Sequence, residues 1–352
     1  MSSAGHLVGA MLALGMVLGG AGALSSCCRP SRPIAYTERA TEVMMGTEVS
    51  ATAVALTPEA ARRAVAAALA EVNRLEGLLS HRIPASDVGR CNALAARGPV
   101  NVAPETFELM QSAAETWHLT NGAFDPTVLP LVRLWQECAR ARRLPTAAEL
   151  AVVQASVGCQ HVVLDVEHRA IRFAREGVAL DLGGIAKGYA ADRAAIVMRA
   201  SGATGGLIAC AGDIVAFGCR ADGRPWRVGV QDPRHPESTA ALVDTLEFSD
   251  MAVSTSGNYR RFSEIGGKPY SHILDPRTGW PADAVPSVTV IAPNGRTADA
   301  LATGISVLGL EEGLRLVESL PNVEALLLTI EEGRIVRHES TGYWRYRSPQ
   351  SD

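Results

Sequence analysis

A fifteen-residue run, VALDLGGIAKGYAAD at positions 178–192, constrains the fold of this chain more than any other stretch. Its first five residues are β-prone and mostly apolar, two glycines follow, and the remainder has the alanine content and spacing of a helix. The pattern predicts a strand that turns tightly at Gly183 and Gly184 into a helix. Such a turn suits a phosphate group, because glycines allow close approach to the backbone and a helix start offers free N–H groups.

Two interpretations of this turn stay open at the level of the residues. Lys187 lies one turn into the predicted helix, where its ammonium group could reach a bound phosphate. The same glycines could instead form a sharp bend that binds nothing. A P-loop is excluded, because Gly188 stands where that motif has the serine or threonine that binds magnesium.

The N-terminal segment has the pattern of a lipoprotein signal peptide. Residues 7–24 are apolar and rich in glycine and alanine, and small residues lead directly to Cys27. We expect a signal peptide at residues 1–26, a lipid on Cys27 and a tether over residues 27–38. The protein would then be exported and anchored on a bacterial membrane, facing the periplasm. An uncleaved membrane helix is the alternative, although its glycines disfavour a helix.

The remainder has the composition of a globular protein. Hydrophobic residues make up 47% of the chain and charged residues 20%, as is usual for globular proteins. The chain is long enough for one large domain or two small ones. Without repeats or a long linker, we expect one domain over residues 39–352. The net charge of −4 and the absence of a basic block argue against nucleic acid as a partner. Five cysteines show no metal or redox spacing and are predicted to be buried thiols: Cys91, Cys138, Cys159, Cys210 and Cys219.

Periodicity predicts a mixture of helices and strands. Beyond the helix that follows the glycine turn, helices are predicted at residues 58–79, 104–120, 146–158, 297–308 and 311–320. A hairpin is predicted at 162–173, and further strands at 207–211, 215–217, 226–230, 242–248, 288–291 and 323–329. The strands come in clusters and do not alternate with helices, which favours the α+β class over a doubly wound parallel sheet.

Asp299 and Thr303 are candidate magnesium ligands. They stand four residues apart in a predicted helix, so both side-chain oxygens face the same way. Magnesium uses one or two carboxylates together with phosphate oxygens, so this incomplete set fits a metal shared with a phosphorylated ligand. The alternative is an aspartate favoured by the helix dipole beside a threonine that only packs.

His272 is the candidate general base. It lies in a β-prone run just before a turn formed by Asp275, Pro276 and Gly279, and its unperturbed pKa lies near working pH. A hydrogen-bonded structural histidine is the alternative. The other histidines, His81 among them, have no comparable polar surroundings. A second polar turn, at residues 120–128, could contact a ligand or satisfy only its own backbone.

Eight short motifs stand in the order found in ApbE-type FAD:protein FMN transferases, and the chain resembles that family over about residues 40–330. The motifs lie at residues 45–47, 80–92, 122–127, 181–189, 211–213, 254–259, 272–276 and 298–303. The resemblance implies a single T-fold-related domain that uses Mg²⁺ and FAD as substrate. The enzyme would join FMN by a phosphoester bond to a serine or threonine of an exported protein, releasing AMP.

The resemblance also implies roles for individual residues and a class of partner. FAD would be lined by Met45, Arg82, Ala123, Phe124, Asp125, Asp181, Lys187 and Ile273. The metal would be surrounded by Gly184, Asp299, Ala302 and Thr303, and His272 would take the proton of the acceptor hydroxyl. The implied acceptor is a subunit of a membrane redox complex that carries a Thr or Ser flavinylation motif.

Two positions depart from the family pattern. Many relatives have a tyrosine where Arg82 stands; a guanidinium can also stack on a flat ring, but the orientation of the flavin is then open. Some have a second acidic residue at position 302, so metal binding here would depend more on FAD. Two other functions stay open: hydrolysis of FAD to FMN and AMP, and a flavin-carrying lipoprotein without activity.

Overall fold

An antiparallel sheet of eight strands, counted over the residues that the structure describes, organises the protein. The structure is a computed structural model that describes residues 35–238, 240–257 and 262–349. Cys27 and the predicted signal peptide lie outside these ranges, as do Asn258 and Tyr259 of one motif. The residues that the structure describes belong to one compact unit.

The elements follow one another as a mixture of strands and helices. The strands are β1 (Tyr36–Met44), β2 (Thr47–Ala55), β3 (Val100–Asn101), β4 (Val162–Asp165), β5 (Ala170–Phe173), β6 (Ala203–Cys210), β7 (Asp213–Phe217), β8 (Trp226–Gln231), β9 (Leu242–Phe248), β10 (Met251–Gly257), β11 (Phe262–Ile265), β12 (Lys268–Ser271), β13 (Ser287–Ala292), β14 (Glu324–Glu331) and β15 (Arg334–Glu339). The helices are α1 (Pro58–Leu79), α2 (Asp87–Leu94), α3 (Pro104–Leu119), α4 (Leu129–Arg140), α5 (Ala147–Gln154), α6 (Ala186–Ala200), α7 (Gly295–Leu308) and α8 (Leu310–Glu318).

The large sheet has the strand order β1-β2-β6-β7-β10-β13-β14-β15. Helices α1, α6 and α7 pack on one face and enclose the larger core. The β8–β9 hairpin covers the other face, where Trp226, Phe248 and Tyr343 belong to a second core. An antiparallel sheet with helices gathered on one face confirms the α+β class.

Local sequence signals account for where several helices begin. The Thr57 hydroxyl accepts a hydrogen bond from the Ala60 N–H at 3.1 Å, with Pro58 at the first helical position of α1. Thr146 and Glu149 form the predicted capping box at the start of α5. These helices were predictable because a cap involves residues within a single turn.

The predicted strand before the glycine turn is wrong. Residues 178–182 form no strand; the Leu180 backbone instead exchanges hydrogen bonds with the Asn92 side chain at 2.6 and 3.0 Å. The Asp181 N–H donates to the Pro126 carbonyl at 2.8 Å. An apolar run indicates that a segment is buried, not that it forms a strand. Residues 178–182 are packed among loops and helices and pair with no neighbouring strand.

Most of the predicted buried thiols are confirmed. Cys91, Cys138, Cys159 and Cys210 are buried, whereas Cys219 is exposed, which corrects the prediction for that residue. Within the described ranges, none of the helices combines the length and the apolar character needed to cross a membrane.

Candidate active site

The first turn of α6 depends on a carboxylate from another helix. Ile185, at the N-cap position of α6, makes no side-chain capping bond. Asp299 of α7 supplies one instead, because its Oδ2 accepts the Gly188 N–H at 3.0 Å. The glycine turn thus leads into a helix start whose Ala186 N–H donates to the Leu182 carbonyl and whose Gly188 N–H donates to a buried aspartate. The positive end of the α6 dipole still attracts negative charge at this point.

Two glycines allow α6 and α7 to approach this closely. A Cβ atom added at Gly188 would lie 2.1 Å from the Gly295 carbonyl oxygen, and one added at Gly295 would lie 2.4 Å from the Gly188 carbonyl oxygen. Both distances are too short for real atoms, so a larger residue at either position would separate the helices. The glycines therefore keep Asp299 within hydrogen-bonding reach of α6.

Lys187 lies between two buried carboxylates. Its ammonium group forms an ion pair with Asp213 Oδ2 and lies 3.6 Å from Asp299 Oδ1. Asp213 in turn accepts the Ser254 hydroxyl at 2.5 Å. Asp213 was not predicted as a site residue, although the motif at 211–213 was noted.

Burial and mutual charge shift the pKa values of this group in opposite directions. Burial and the neighbouring Asp213 raise the pKa of Asp299 to about 7, against the opposing effect of Lys187. Burial by itself would lower the pKa of Lys187, but the charges of Asp213 and Asp299 outweigh it and raise that pKa. Lys187 therefore stays a cation. A further positive charge near Asp299 would favour the ionised form of its carboxyl group.

The glycine turn and α7 meet at Gly184 and Thr303. A Cβ added at Gly184 would lie 3.1 Å from Thr303 Oγ1 and 3.3 Å from Phe124 Cε2. Gly184, Lys187 and Thr303 are half-buried, so this part of the cluster reaches the surface. The glycine turn and the helix that carries Asp299 therefore meet in the folded protein.

The donor chemistry of this group fits magnesium. A carboxylate at Asp299, a hydroxyl at Thr303 and backbone oxygen at Gly184 are hard oxygen donors, and the phosphates of a substrate would complete the set. Among the described residues, no cluster of three or more acidic, histidine or cysteine side chains suits a metal ion. Ala302 is buried without a side-chain donor, and its carbonyl accepts the Ser306 hydroxyl at 2.8 Å.

Asp125 holds the turn at residues 120–127 together and also ties it to Cys159. Both oxygens of buried Asp125 are engaged: Oδ1 accepts from the Thr127 N–H and hydroxyl at 2.8 and 2.5 Å, and Oδ2 from the Cys159 N–H at 3.1 Å. Burial raises the pKa of Asp125 despite these bonds. The side chain of Asp125 thus shapes the turn that places Phe124 against Gly184.

Asp181 links the glycine turn to the segment after α1. Its Oδ1 accepts the Gly183 N–H at 2.8 Å and lies 3.3 Å from His81 Nδ1. Burial opposes ionisation, but the hydrogen bond and charge of His81 outweigh it and lower the pKa of Asp181. His81 was predicted to have no polar setting, and the structure corrects this: the pairing arises only when distant segments fold together.

Met45 and Arg82 lie at the other end of this linked group. Met45 and Gly46 form the β1–β2 turn with positive φ angles of 52° and 69°. A Cβ added at Gly46 would lie 3.6 Å from Arg82 Nη1, so the exposed guanidinium covers this turn. We name the linked group from Met45 through Asp181, Gly184 and Asp299 to Asp213 the polar row.

His272 belongs to a separate element. It is exposed and directly follows β12, and the next residue, Ile273, is half-buried with its N–H donating to the Ser271 hydroxyl at 3.0 Å. Ile265 and Leu274 anchor this hairpin in an apolar cluster with Trp135 of α4. The Trp135 indole N–H also donates to the Gly279 carbonyl at 2.8 Å.

The sequence of the polar row and its surroundings matches a known protein family. Residues 45–327 match the model of the ApbE family, which covers most of the chain and every residue of the polar row. The chain belongs to the ApbE family. The resemblance drawn from the eight motifs is thereby confirmed.

Individual ApbE relatives agree with the family match. The chain is 33% identical over 259 residues to the FAD:protein FMN transferase of Klebsiella pneumoniae (strain 342), covering 73% of this chain and 79% of that protein. It is 35% identical over 282 residues to the FAD:protein FMN transferase of Treponema pallidum (strain Nichols), covering 75% and 77%. Both relatives are enzymes, and so is this chain.

A solved ApbE structure has the same fold. The crystal structure of the ApbE protein from Thermotoga maritima superposes with a TM-score of 0.80 at 31% identity, covering 89% of this chain and 100% of that one. Both the fold and the family are therefore shown by independent comparisons.

Proposed function

We propose that this ApbE protein transfers FMN from FAD to a serine or threonine hydroxyl of an exported flavoprotein and releases AMP. The observation that carries the proposal is the group at the start of α6. There the Lys187 ammonium lies between the buried carboxylates of Asp213 and Asp299, next to the glycine turn. Such a group suits a pyrophosphate bound together with a divalent cation, because Lys187 attracts the phosphate oxygens and the cation offsets the repulsion from the carboxylates. The transferase names of the ApbE relatives support the choice of FAD as the donor.

The residues divide the binding task along the polar row. Lys187 and the positive end of the α6 dipole would hold the pyrophosphate oxygens. Asp299, Thr303 and Gly184 would hold Mg²⁺, which when bound would polarise the phosphorus–oxygen bond that breaks. Met45 and Arg82 would lie against the flavin, with Asp181 and the backbone of the 123–125 turn beside them and Ile273 on the hairpin side.

Group transfer requires a proton acceptor and a leaving group. The acceptor oxygen forms a bond to the phosphorus of the FMN half, and the bond from that phosphorus to the AMP phosphate oxygen breaks. AMP leaves with the bonding electron pair. His272, exposed at the end of β12, would take the hydroxyl proton as the general base.

Mass spectrometry of an acceptor tests the proposal. The protein from Arg29 onward, incubated with FAD, Mg²⁺ and a candidate exported flavoprotein, is expected to add one FMN to the acceptor and release an equal amount of AMP. An acceptor whose target threonine is replaced by valine is the matched control and should gain no mass. Free FMN and AMP without any acceptor adduct would contradict transfer and identify an FAD pyrophosphatase.

Export and lipidation form a second part of the proposal. The apolar segment and Cys27 support a lipid anchor that holds the enzyme where its exported acceptor lies. The chain from Arg29 onward, exported behind a cleavable signal without this cysteine, is expected to be soluble and to retain the flavin-transfer rate of the full chain. Cell fractionation measures this, and recovery of the truncated protein with membranes would show that lipid is not the anchor.

A further inference from the structure

The start of α7 is capped by an aspartate from α6. Asp192 Oδ1 accepts the Gly295 N–H at 2.6 Å, and its Oδ2 accepts the Arg296 N–H at 3.0 Å. The next N–H, of Thr297, donates to the Asn294 side chain at 2.9 Å, which is the ordinary cap within α7. One carboxylate and one amide therefore accept the N–H groups of this helix start, and of the two only Asp192 belongs to a neighbouring helix.

The connection between the two helices is reciprocal. Asp192 of α6 caps the start of α7, while Asp299 of α7 caps the start of α6 through the Gly188 N–H. The tight contact between Gly188 and Gly295 lies between these two ties. Because the two aspartates act in opposite directions across one close contact, they restrict both sliding and rotation of α7 against α6.

We propose that Asp192 is a positioning residue that sets Asp299 for metal binding. Asp192 acts through the backbone of Gly295 and Arg296, one turn before Asp299 on the same helix. The inference rests on the proposed function, since it assumes that Asp299 holds the metal. Loss of a partner that orients a metal ligand typically weakens metal affinity about 10–100-fold.

Asn294→Ala provides a control of matched chemistry. It removes a capping bond from the same turn of α7 but leaves the ties between α6 and α7 in place. A merely structural role for Asp192 would make both variants behave alike, because each removes hydrogen bonds from one helix start. A positioning role makes them differ in metal affinity.

Manganese binding measures the difference without relying on activity. Free Mn²⁺ is followed by its paramagnetic resonance signal while it is titrated into the protein with FAD present and no acceptor. Asp192→Ala is expected to weaken Mn²⁺ binding about 10–100-fold. Asp192→Asn, which keeps one acceptor oxygen, should have an intermediate affinity, and Asn294→Ala should stay within about twofold of the unaltered protein.

Each other outcome has a defined meaning. Equal weakening by Asp192→Ala and Asn294→Ala, or an unchanged affinity in Asp192→Ala, would overturn the positioning role. If Asp192→Ala does not fold, Asp192→Asn is compared with Asn294→Ala in its place. Unchanged Mn²⁺ binding in Asp299→Ala would instead refute the proposed metal site, which separates the two failures.

Discussion

Replacing Asp299 by alanine is expected to lower flavin transfer by about 100-fold or more while the fold persists. The change removes the carboxylate that we assign to the metal, and a loss of about 3 kcal/mol of transition-state stabilisation corresponds to this factor. It also removes the cap on the Gly188 N–H, which costs about 1 kcal/mol. That cost is small beside a total stability of about 5–15 kcal/mol.

Asp299→Asn separates these two effects. The amide oxygen can still accept the Gly188 N–H, but the side chain no longer carries a charge for the metal. Both variants should therefore lose transfer, measured as acceptor mass shift over a Mg²⁺ titration, and thermal melts should show the smaller change for Asp299→Asn. An unchanged rate and magnesium requirement would show that the metal lies elsewhere, and Asp213 would be the next carboxylate to test.

Replacing His272 by alanine is expected to lower transfer about 10²–10⁴-fold, which is the range that a positioned base contributes. The same variant should bind FAD with nearly unaltered affinity. The reason is that the groups that would hold the pyrophosphate, Lys187 and Asp299, lie on α6 and α7, whereas His272 is exposed at the end of the β11–β12 hairpin. Flavin fluorescence quenching measures the affinity, and acceptor mass shift measures the transfer.

His81→Ala is the matched histidine control for this experiment. His81 contacts Asp181 within the polar row, so its loss should weaken FAD binding, which the loss of His272 should not. A His272→Ala protein that transfers FMN at the unaltered rate would show that the base is another group. A His272→Ala protein that fails to bind FAD would show that this histidine contacts the ligand or supports the hairpin.

Some elements escaped prediction although their signals were present or nearly so. Helix α4 buries Leu131, Leu134, Trp135 and Cys138 at helical spacing, but no capping side chain marks its start at Leu129. The β1–β2 hairpin turns at Met45 and Gly46, both with positive φ, and a methionine in this conformation is not a usual turn signal. Neither an uncapped helix start nor a turn with a methionine at positive φ has a common sequence signal, so tertiary packing decides where they form.

The sequence by itself determined the features that depend on residues within about one turn of each other. These include the caps at Thr57 and Thr146, the shared face of Asp299 and Thr303, and the motifs that identify an ApbE protein. Tertiary structure alone decided which charges meet. The tie of Lys187 to Asp213 joins residues 26 positions apart, and that of Gly188 to Asp299 joins residues 111 apart. Such pairs follow from the close packing of α6, α7 and the sheet, because no local pattern specifies which distant carboxylate will lie beside a helix start.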